Sequence, residues 1–356
     1  MSEHFEREEG FIPKYILEEL AEKGDEDAKR TLAGMQELAM KEDQVKKKNI
    51  ESQAGNNTLE ANASVYPKRG VYDSQGTGEL QHKLARQEGD PPNSDQVVNL
   101  SYDFCGKTLE YFKLMLNRNS IDGNGMDVIS NVHFRKDYNN AVWLPSQNQL
   151  ALGDGDGKRF INLGRSIDVV AHEMAHGVTE YVNHLDYTRQ SGALNEHFSD
   201  VIGTAVQQYV KGQTAQTADW LIGDEIVGSE FRGKALRSMK EPGTAYFGDR
   251  QVAHFSKYMD IPLSDDGGGV HYFSGIPNKA FFLAAMQLGT DPATLLWYTA
   301  LHDRGTIRRD AKFVDLLKAL LIAAEKLIRQ GELPQSAISV VTSAFSEVGI
   351  LLPVHA

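Results

Sequence analysis

Apolar and polar positions divide this chain into stretches of different rhythm. Residues 11–48 are charged, with a shallow helical pattern. Ile16, Leu17 and Leu20 make one short apolar face, Leu32, Met35 and Leu38 make another, and Gly24-Asp25 marks the turn between them. From Gln53 to Ser64 the chain is polar and has no apolar period, which predicts a linker. From about Val65 to Gln190, short β-like runs are broken by glycine and asparagine turns. Val97-Val98-Asn99-Leu100 and Ala141-Val142-Trp143-Leu144 are expected strands, with a helical pattern over 106–116. Beyond Gly192 helices dominate, over 195–209, 278–288, 292–301, 312–330 and 336–348. The fold class expected is α+β. A small helical segment with its linker (1–55) precedes a mixed, sheet-rich N-terminal domain (56–190) and a helical C-terminal domain (191–356), and the cleft lies at their junction.

One helical stretch departs from the amphipathic rule. Ile167, Val169, Val170, Met174, Ala175 and Val178 spread around the whole helical circumference, as expected of a helix buried at the centre of a protein. Asp168 near its start suits the helix dipole. Inside this apolar setting stand His172, Glu173 and His176, in the order HExxH. Residues four apart share a helix face, with Cβ atoms roughly 5–6 Å apart, so two imidazoles can grip one Zn²⁺. Glu173 then stands beside the water that such an ion activates. A catalytic zinc takes three protein ligands and keeps one position open. Twenty residues on, Glu196 and Asp200 share a face of the next helical stretch. If the two helices pack together, Glu196 supplies the third ligand. Asp200 accepts the free ring N–H of a ligating histidine.

With these motifs the chain resembles the thermolysin family of zinc metalloendopeptidases, from about Tyr72 to the C-terminus. The resemblance rests on Tyr138-Asn139-Asn140-Ala141-Val142-Trp143, Gly153-Asp154-Gly155-Asp156-Gly157, the HExxH, Gly192-Ala193-Leu194-Asn195-Glu196, Leu236-Arg237-Ser238-Met239 and Gly268-Gly269-Val270-His271. Phe11-Ile12-Pro13-Lys14-Tyr15 is similar to the short propeptide of the protealysin subgroup. The resemblance implies that His271, oriented by Asp266, and Tyr187 stabilise the charge growing on the scissile carbonyl oxygen. It implies that Asn140 and the backbone of Ala141 hold the substrate chain and that Arg237 bonds a substrate carbonyl. Phe160, Leu163, Val169, Ile222 and Leu236 would line the pocket for the residue after the cut, which implies cleavage on the amino side of bulky apolar residues. The segment 1–55 would be a removable inhibitor, with Ile50, Leu59 and Val65 as candidates for the residue following its release; the alternative is a permanent N-terminal helical embellishment.

Two departures qualify the resemblance. Asp168, Asp219 and Asp224 match a calcium cluster, but Gln207 and Leu221 stand where relatives with a double site carry acids. At most one Ca²⁺ is expected there, and helix-end and turn roles for these aspartates are an equal alternative. Phe273 stands where the family usually has asparagine, which removes a polar group near the cleft. With the charged N-terminal segment it is the only support for the alternative function, a catalytically silent binding protein that keeps the fold and the metal. A third reading is a zinc hydrolase restricted to esters or small peptides. The glycine-rich Gly153–Gly157 run lacks the twelve-residue loop ending in glutamate of an EF-hand, so tight turns are expected.

Composition narrows the partners. The chain has 356 residues, 41% of them hydrophobic, and a net charge of −12. The acidity argues against general nucleic-acid binding, which needs Lys and Arg to displace counterions. Expected partners are protein and peptide substrates and the chain's own N-terminal segment, with neither nucleic acid nor membrane. The single cysteine, Cys105, precludes an intrachain disulfide and reads as a small buried hydrophobe. No stretch of 18 apolar residues predicts a transmembrane helix. The acidic first nine residues lack the basic and apolar regions of a secretory signal. Release without a signal peptide and a cytoplasmic pool are both compatible with this sequence.

Overall fold

The computed structural model describes residues 10–53 and 66–353. The acidic start, most of the expected linker, and Leu59 and Val65 lie outside the described residues. The N-terminal segment forms two helices, α1 (Lys14–Glu22) and α2 (Glu26–Gln53), with Gly24 at φ +90° in the turn between them. Ile16, Leu17, Met35 and Leu38 bury against the rest of the protein. The two short apolar faces therefore dock on the body rather than only on each other.

The body begins with β1 (Arg69–Asp73), β2 (Lys83–Gln87) and α3 (Gln96–Leu116), followed by β3 (Val128–Val132), β4 (Ala141–Leu144) and β5 (Gln149–Leu152). The five strands form one mixed sheet in the order β2-β1-β3-β5-β4. β1 runs parallel to β3 and β3 to β5, while β4 and β5 form an antiparallel hairpin that leaves β4 at an edge. The expected strand at Val97–Leu100 is instead the first turn of α3. Asp95 caps this helix by accepting the Val97 N–H at 2.8 Å. Val98, Tyr102, Cys105 and Phe112 bury at helical spacing, and that longer period outweighs the local β-propensity. Cys105 is buried, and burial pushes its thiol up to about 12.

Next come the two helices that carry the metal motif, α4 (Ile167–Val182) and α5 (Arg189–Lys211). A small ladder, β6 (Leu221–Ile222) with β7 (Arg237–Ser238), follows. The chain ends with α6 (Asp266–Phe273), α7 (Gly275–Leu288), α8 (Thr290–Leu301), α9 (Phe313–Arg329) and α10 (Ala337–Glu347). Fourteen of the 16 residues of α4 are buried, among them His172, Glu173 and His176, so it is the central helix its sequence predicts. The architecture is α+β: a sheet-rich N-terminal half, a helical C-terminal half, and helices preceding both. No helix among the described residues is long and apolar enough to cross a membrane.

Candidate metal centre

Close approach of α4 and α5 depends on Gly203. A Cβ built there would lie 2.8 Å from the Asp168 carbonyl oxygen on α4, so only glycine fits. At this spacing the motif side chains converge. His172 Nε2 and His176 Nε2 are 3.0 Å apart. Glu196 places Oε2 3.5 Å from the first and Oε1 3.4 Å from the second. Tetrahedral zinc with bonds of about 2.0–2.1 Å requires ligand atoms roughly 3.3 Å apart, which this triangle satisfies. Glu196 Oε2 is buried without a hydrogen-bond partner, as expected of an atom whose partner is an ion. His172, Glu173 and His176 each bring a ligand atom within 4.8 Å of the others. Glu173, however, is turned to the sheet, where its Oε2 accepts the Trp143 N–H at 2.7 Å. Glu196 therefore has the geometry of a third ligand position, while Glu173 points away from it.

Outer groups fix each ligand. Asp200 Oδ1 lies 2.9 Å from His172 Nδ1. His176 Nδ1 is 2.9 Å from Asn195 Oδ1, which also accepts the Thr179 hydroxyl. Asp200 further accepts from Arg237 Nη2 at 2.8 Å and from Asn278 Nδ2 at 2.8 Å. Against the cost of burial, Arg237 and His172 hold the Asp200 carboxyl down at about 2. Burial likewise opposes the charge on Glu196, but His271, His176 and His172 hold it well below its ordinary range. His172 is raised to about 9 by Asp200 and Glu196 despite its burial. Burial raises the Glu173 carboxyl to about 8.

Two further groups face the same centre. His271 Nε2 lies 3.4 Å from Glu196 Oε2, while its Nδ1 is 2.6 Å from Asp266 Oδ1. The His271 N–H also donates to Asp266 Oδ2 at 2.8 Å. This double grip needs the backbone to reverse over Gly267, Gly268 and Gly269, at φ +61°, +85° and +86°. The Tyr187 hydroxyl donates to Glu196 Oε1. Phe273, where a polar group is expected to be missing near the cleft, makes ring contacts with Tyr258 and Tyr272. It is buried, with its ring 4.6 Å from that of Tyr258, and it leaves the Asp266–His271 pair intact.

The N-terminal segment occupies the cleft. Phe11 is fully buried, its ring 5.0 Å from that of His172, with the Arg237 guanidinium 4.7 Å from its centroid. Its N–H donates to the Ala141 carbonyl on edge strand β4 at 3.0 Å, and its carbonyl accepts from Arg237 Nη1 at 3.1 Å. Asn140 Oδ1 accepts the Ile12 N–H at 2.9 Å and Nδ2 donates to the Ile12 carbonyl at 3.2 Å. Phe160, Leu163, Val169, Ile222 and Leu236 belong to the same buried apolar cluster as Phe11. Asn140, Ala141 and Arg237, three of the residues expected to hold a substrate, thus all bond this one segment. Occupation of the cleft by Phe11, and the props Asn195 and Asn278, were not foreseen from the sequence. The only sequence signal for Phe11 was an aromatic residue with a Pro two positions later, in an otherwise charged stretch.

The calcium residues lie near one another without meeting as closely: burial, together with Asp168 and Asp219, raises the Asp224 carboxyl, and Asp224 Oδ1 is buried without a hydrogen-bond partner. Asp168 Oδ1 accepts from Ser166 and from the Val169 N–H, and its Oδ2 takes the Gly223 N–H at 2.7 Å. Asp219 accepts the Leu221 N–H. Lys211 Nζ reaches Glu225 Oε1 at 2.9 Å, and Glu225, Asp224 and Asp168 raise its pKa although burial opposes this. Among the described residues, the His172 group is the one set of three or more side chains close enough to share a metal. The Gly153–Gly157 run forms tight turns, with Gly155 and Gly157 at positive φ and Asp156 Oδ1 accepting the N–H groups of Lys158, Arg159 and Phe160.

Family profiles divide the chain between them. The thermolysin metallopeptidase catalytic domain matches residues 29–180, and the thermolysin metallopeptidase alpha-helical domain matches residues 183–350. Protease PrtS of Photorhabdus sp. (strain Az29) is 38% identical over 353 residues, covering 96% of this chain and 92% of that protein. The chain belongs to the thermolysin family. Within this family an extracellular metalloprotease of Pectobacterium carotovorum subsp. carotovorum is 40% identical over 314 residues, or 85% of this chain and 86% of the relative. The solved precursor of protealysin, a metalloproteinase from Serratia proteamaculans, superimposes with a TM-score of 0.82 at 35% identity, covering 96% of this chain and all of that one. The protein is a protealysin-like zinc metalloendopeptidase, and its metal is zinc.

Proposed function

We propose that this metalloendopeptidase cuts on the amino side of bulky apolar residues and is made as a zymogen that residues 1 to about 55 hold shut. The observation that carries the proposal is the seating of Phe11. An apolar side chain fills the buried space beside His172, its N–H is bonded to an edge strand, and its carbonyl is bonded to Arg237. A substrate's leaving-group side would lie the same way, as an added strand along β4.

Residues His172, His176 and Glu196 would hold the zinc, and Asp200 and Asn195 would keep the imidazoles in the correct tautomer. Bound zinc supplies Lewis acidity that polarises the scissile carbonyl and acidifies the attacking water. Glu173 takes the proton from that water and returns it to the departing nitrogen. Burial holds this carboxyl above the ordinary carboxylate range, and a dication held beside it would favour the ionised form that a base needs. His271, steadied by Asp266, and Tyr187 donate to the oxygen that becomes negative in the tetrahedral state. Such donors contribute about 3 kcal/mol each. Peptide and protein substrates follow from this chemistry, and the extracellular relatives favour release from the cell for this chain as well.

The test is a time course on the zinc-loaded full chain, read by casein digestion, intact mass and N-terminal sequencing. Activity is expected to rise as roughly 50–65 residues are lost, with a chelator abolishing it. Glu173→Ala should keep its zinc and digest nothing. Full activity from a chain with its N-terminus intact would overturn the zymogen reading. A peptide library favouring charged residues after the cut would overturn the specificity.

A further inference from the structure

Four residues beyond Phe11, a second side chain of the N-terminal segment enters the body. Tyr15, in the first turn of α1, is buried. Its ring centroid lies 4.6 Å from that of Tyr272 at 52°, and its hydroxyl is 3.0 Å from the Tyr246 hydroxyl. The Arg250 guanidinium is 5.2 Å from the Tyr15 ring. The walls of this recess are braced without Tyr15. Arg250 Nη1 donates to the Tyr272 hydroxyl at 3.1 Å, and Tyr272 in turn donates to Asp265 at 2.7 Å. The Tyr246 ring lies 5.4 Å from that of Phe231 at 51°, and Phe231 lies 5.4 Å from Phe160, one of the expected pocket residues, at 50°. A row of rings thus joins the two recesses.

We propose that Tyr246, Tyr272 and Arg250 form a distal subsite of the protease, one that takes a phenol-bearing side chain four residues past the residue in the apolar pocket. The proposal rests on reading Phe11 as the residue that follows a cut. All three wall residues belong to the body, so the recess persists when the N-terminal segment leaves. Its chemistry selects a neutral aromatic. One face is the Tyr272 ring, another is a guanidinium, and the Tyr246 hydroxyl offers a hydrogen-bond partner. Asp249 and Asp266 also act on the Tyr15 hydroxyl, and their charge disfavours an acidic side chain there. The path is set by backbone. Phe11 and Ile12 are bonded to β4 and Asn140, Pro13 stays extended at φ −55° and ψ 135°, and Lys14 begins a helix. Substrates that turn helical three residues after the cut place their aromatic in the recess.

The experiment uses three synthetic peptides with the sequence of residues 10–22, carrying Tyr, Phe or Ala at position 15. Each competes with a short reference substrate that ends two residues after its cut. The enzyme is the zinc-loaded full chain, held until casein digestion is constant. The Tyr peptide should inhibit about tenfold more tightly than the Ala peptide, with Phe between, as expected for a buried aromatic anchor. Ala is the better helix former, so helix propensity alone predicts the opposite order. In Tyr272→Ala the Tyr-to-Ala ratio should fall toward one, and Tyr246→Phe should erase the difference between Tyr and Phe. Equal inhibition by all three peptides on the wild type would overturn the subsite without touching the protease reading, and this comparison needs no variant to fold. An unchanged ratio in a folded Tyr272→Ala protein would also overturn it. If the wild type does not cut the reference substrate, the protease reading fails and the subsite falls with it.

Discussion

Asp200 joins two tasks at one carboxylate. It lies against the ring nitrogen of His172 and holds Arg237, which in turn grips the Phe11 carbonyl. Asp200→Asn keeps the shape and removes the charge, and zinc affinity should fall about 10–100-fold as measured by competition with a chromogenic chelator. His133 gives a separate test away from the metal. Its Nδ1 lies 2.9 Å from Asp154 and its Nε2 2.9 Å from Asp95, the cap of α3. Hydrogen bonding to Asp154, less the cost of burial and with help from Asp95, raises its pKa from 6.5 to about 9. A raised histidine pKa stabilises the fold fully below the ordinary value, and that contribution is lost as pH rises through the folded value. His133→Gln should therefore lower stability by about 1–2 kcal/mol at pH 6, after discounting for solvent screening, and by little near pH 10. Denaturant midpoints of the two proteins across that range decide it. The convergence of His172, His176 and Glu196 was legible in the sequence because HExxH and Glu196 obey simple helical spacing. Asn195 and Asn278 escaped notice because amides that prop another residue's ligand have no spacing rule of their own. The ring contact of Phe273 with Tyr258 was not legible, because sequence adjacency to His271 does not say which way a side chain turns.

Helices and strands were legible to different degrees. α4 announced itself by an apolar girdle broken only by reactive side chains, and α7 to α10 by their period. α3 was half missed, since its first turn is rich in valine and the cap at Asp95 carried less apparent weight than β-propensity. Nothing in the sequence told that β4 is an edge strand, because strand order depends on pairings between distant segments. That edge is what lets Phe11 bond to Ala141. Phe11→Ala removes a fully buried ring worth roughly 2–3 kcal/mol. Freshly zinc-loaded Phe11→Ala protein should show at least about tenfold more initial peptidase activity than the wild type. Equal lag phases in a continuous assay would show that Phe11 does not hold the cleft shut.

At the scale of the molecule, zinc couples two helices whose buried charges otherwise lack a full set of partners. Stripping the metal should lower Tm by roughly 5–10 °C, followed by circular dichroism before and after chelation. Millimolar calcium should shift Tm by no more than about 1 °C, since Lys211 already offsets the acidic group around Asp168 and the Asp168 oxygens are hydrogen-bonded. A rise of several degrees would restore the single calcium ion that the sequence allowed. The N-terminal segment ties itself to the body at many points. Arg30 pairs with Asp137, Glu37 with Arg135, Asp25 with Arg159 and Glu19 with Arg250, and the Ser146 N–H donates to Glu42. On the zymogen reading proposed above, inhibitor and protease share one polypeptide, and their effective concentration is fixed by the tether and not by the solution around them. Dilution into a large volume, which frees an enzyme from a separate inhibitor, leaves this one shut, and a severed backbone is what makes its activity depend on how far the two pieces can drift apart.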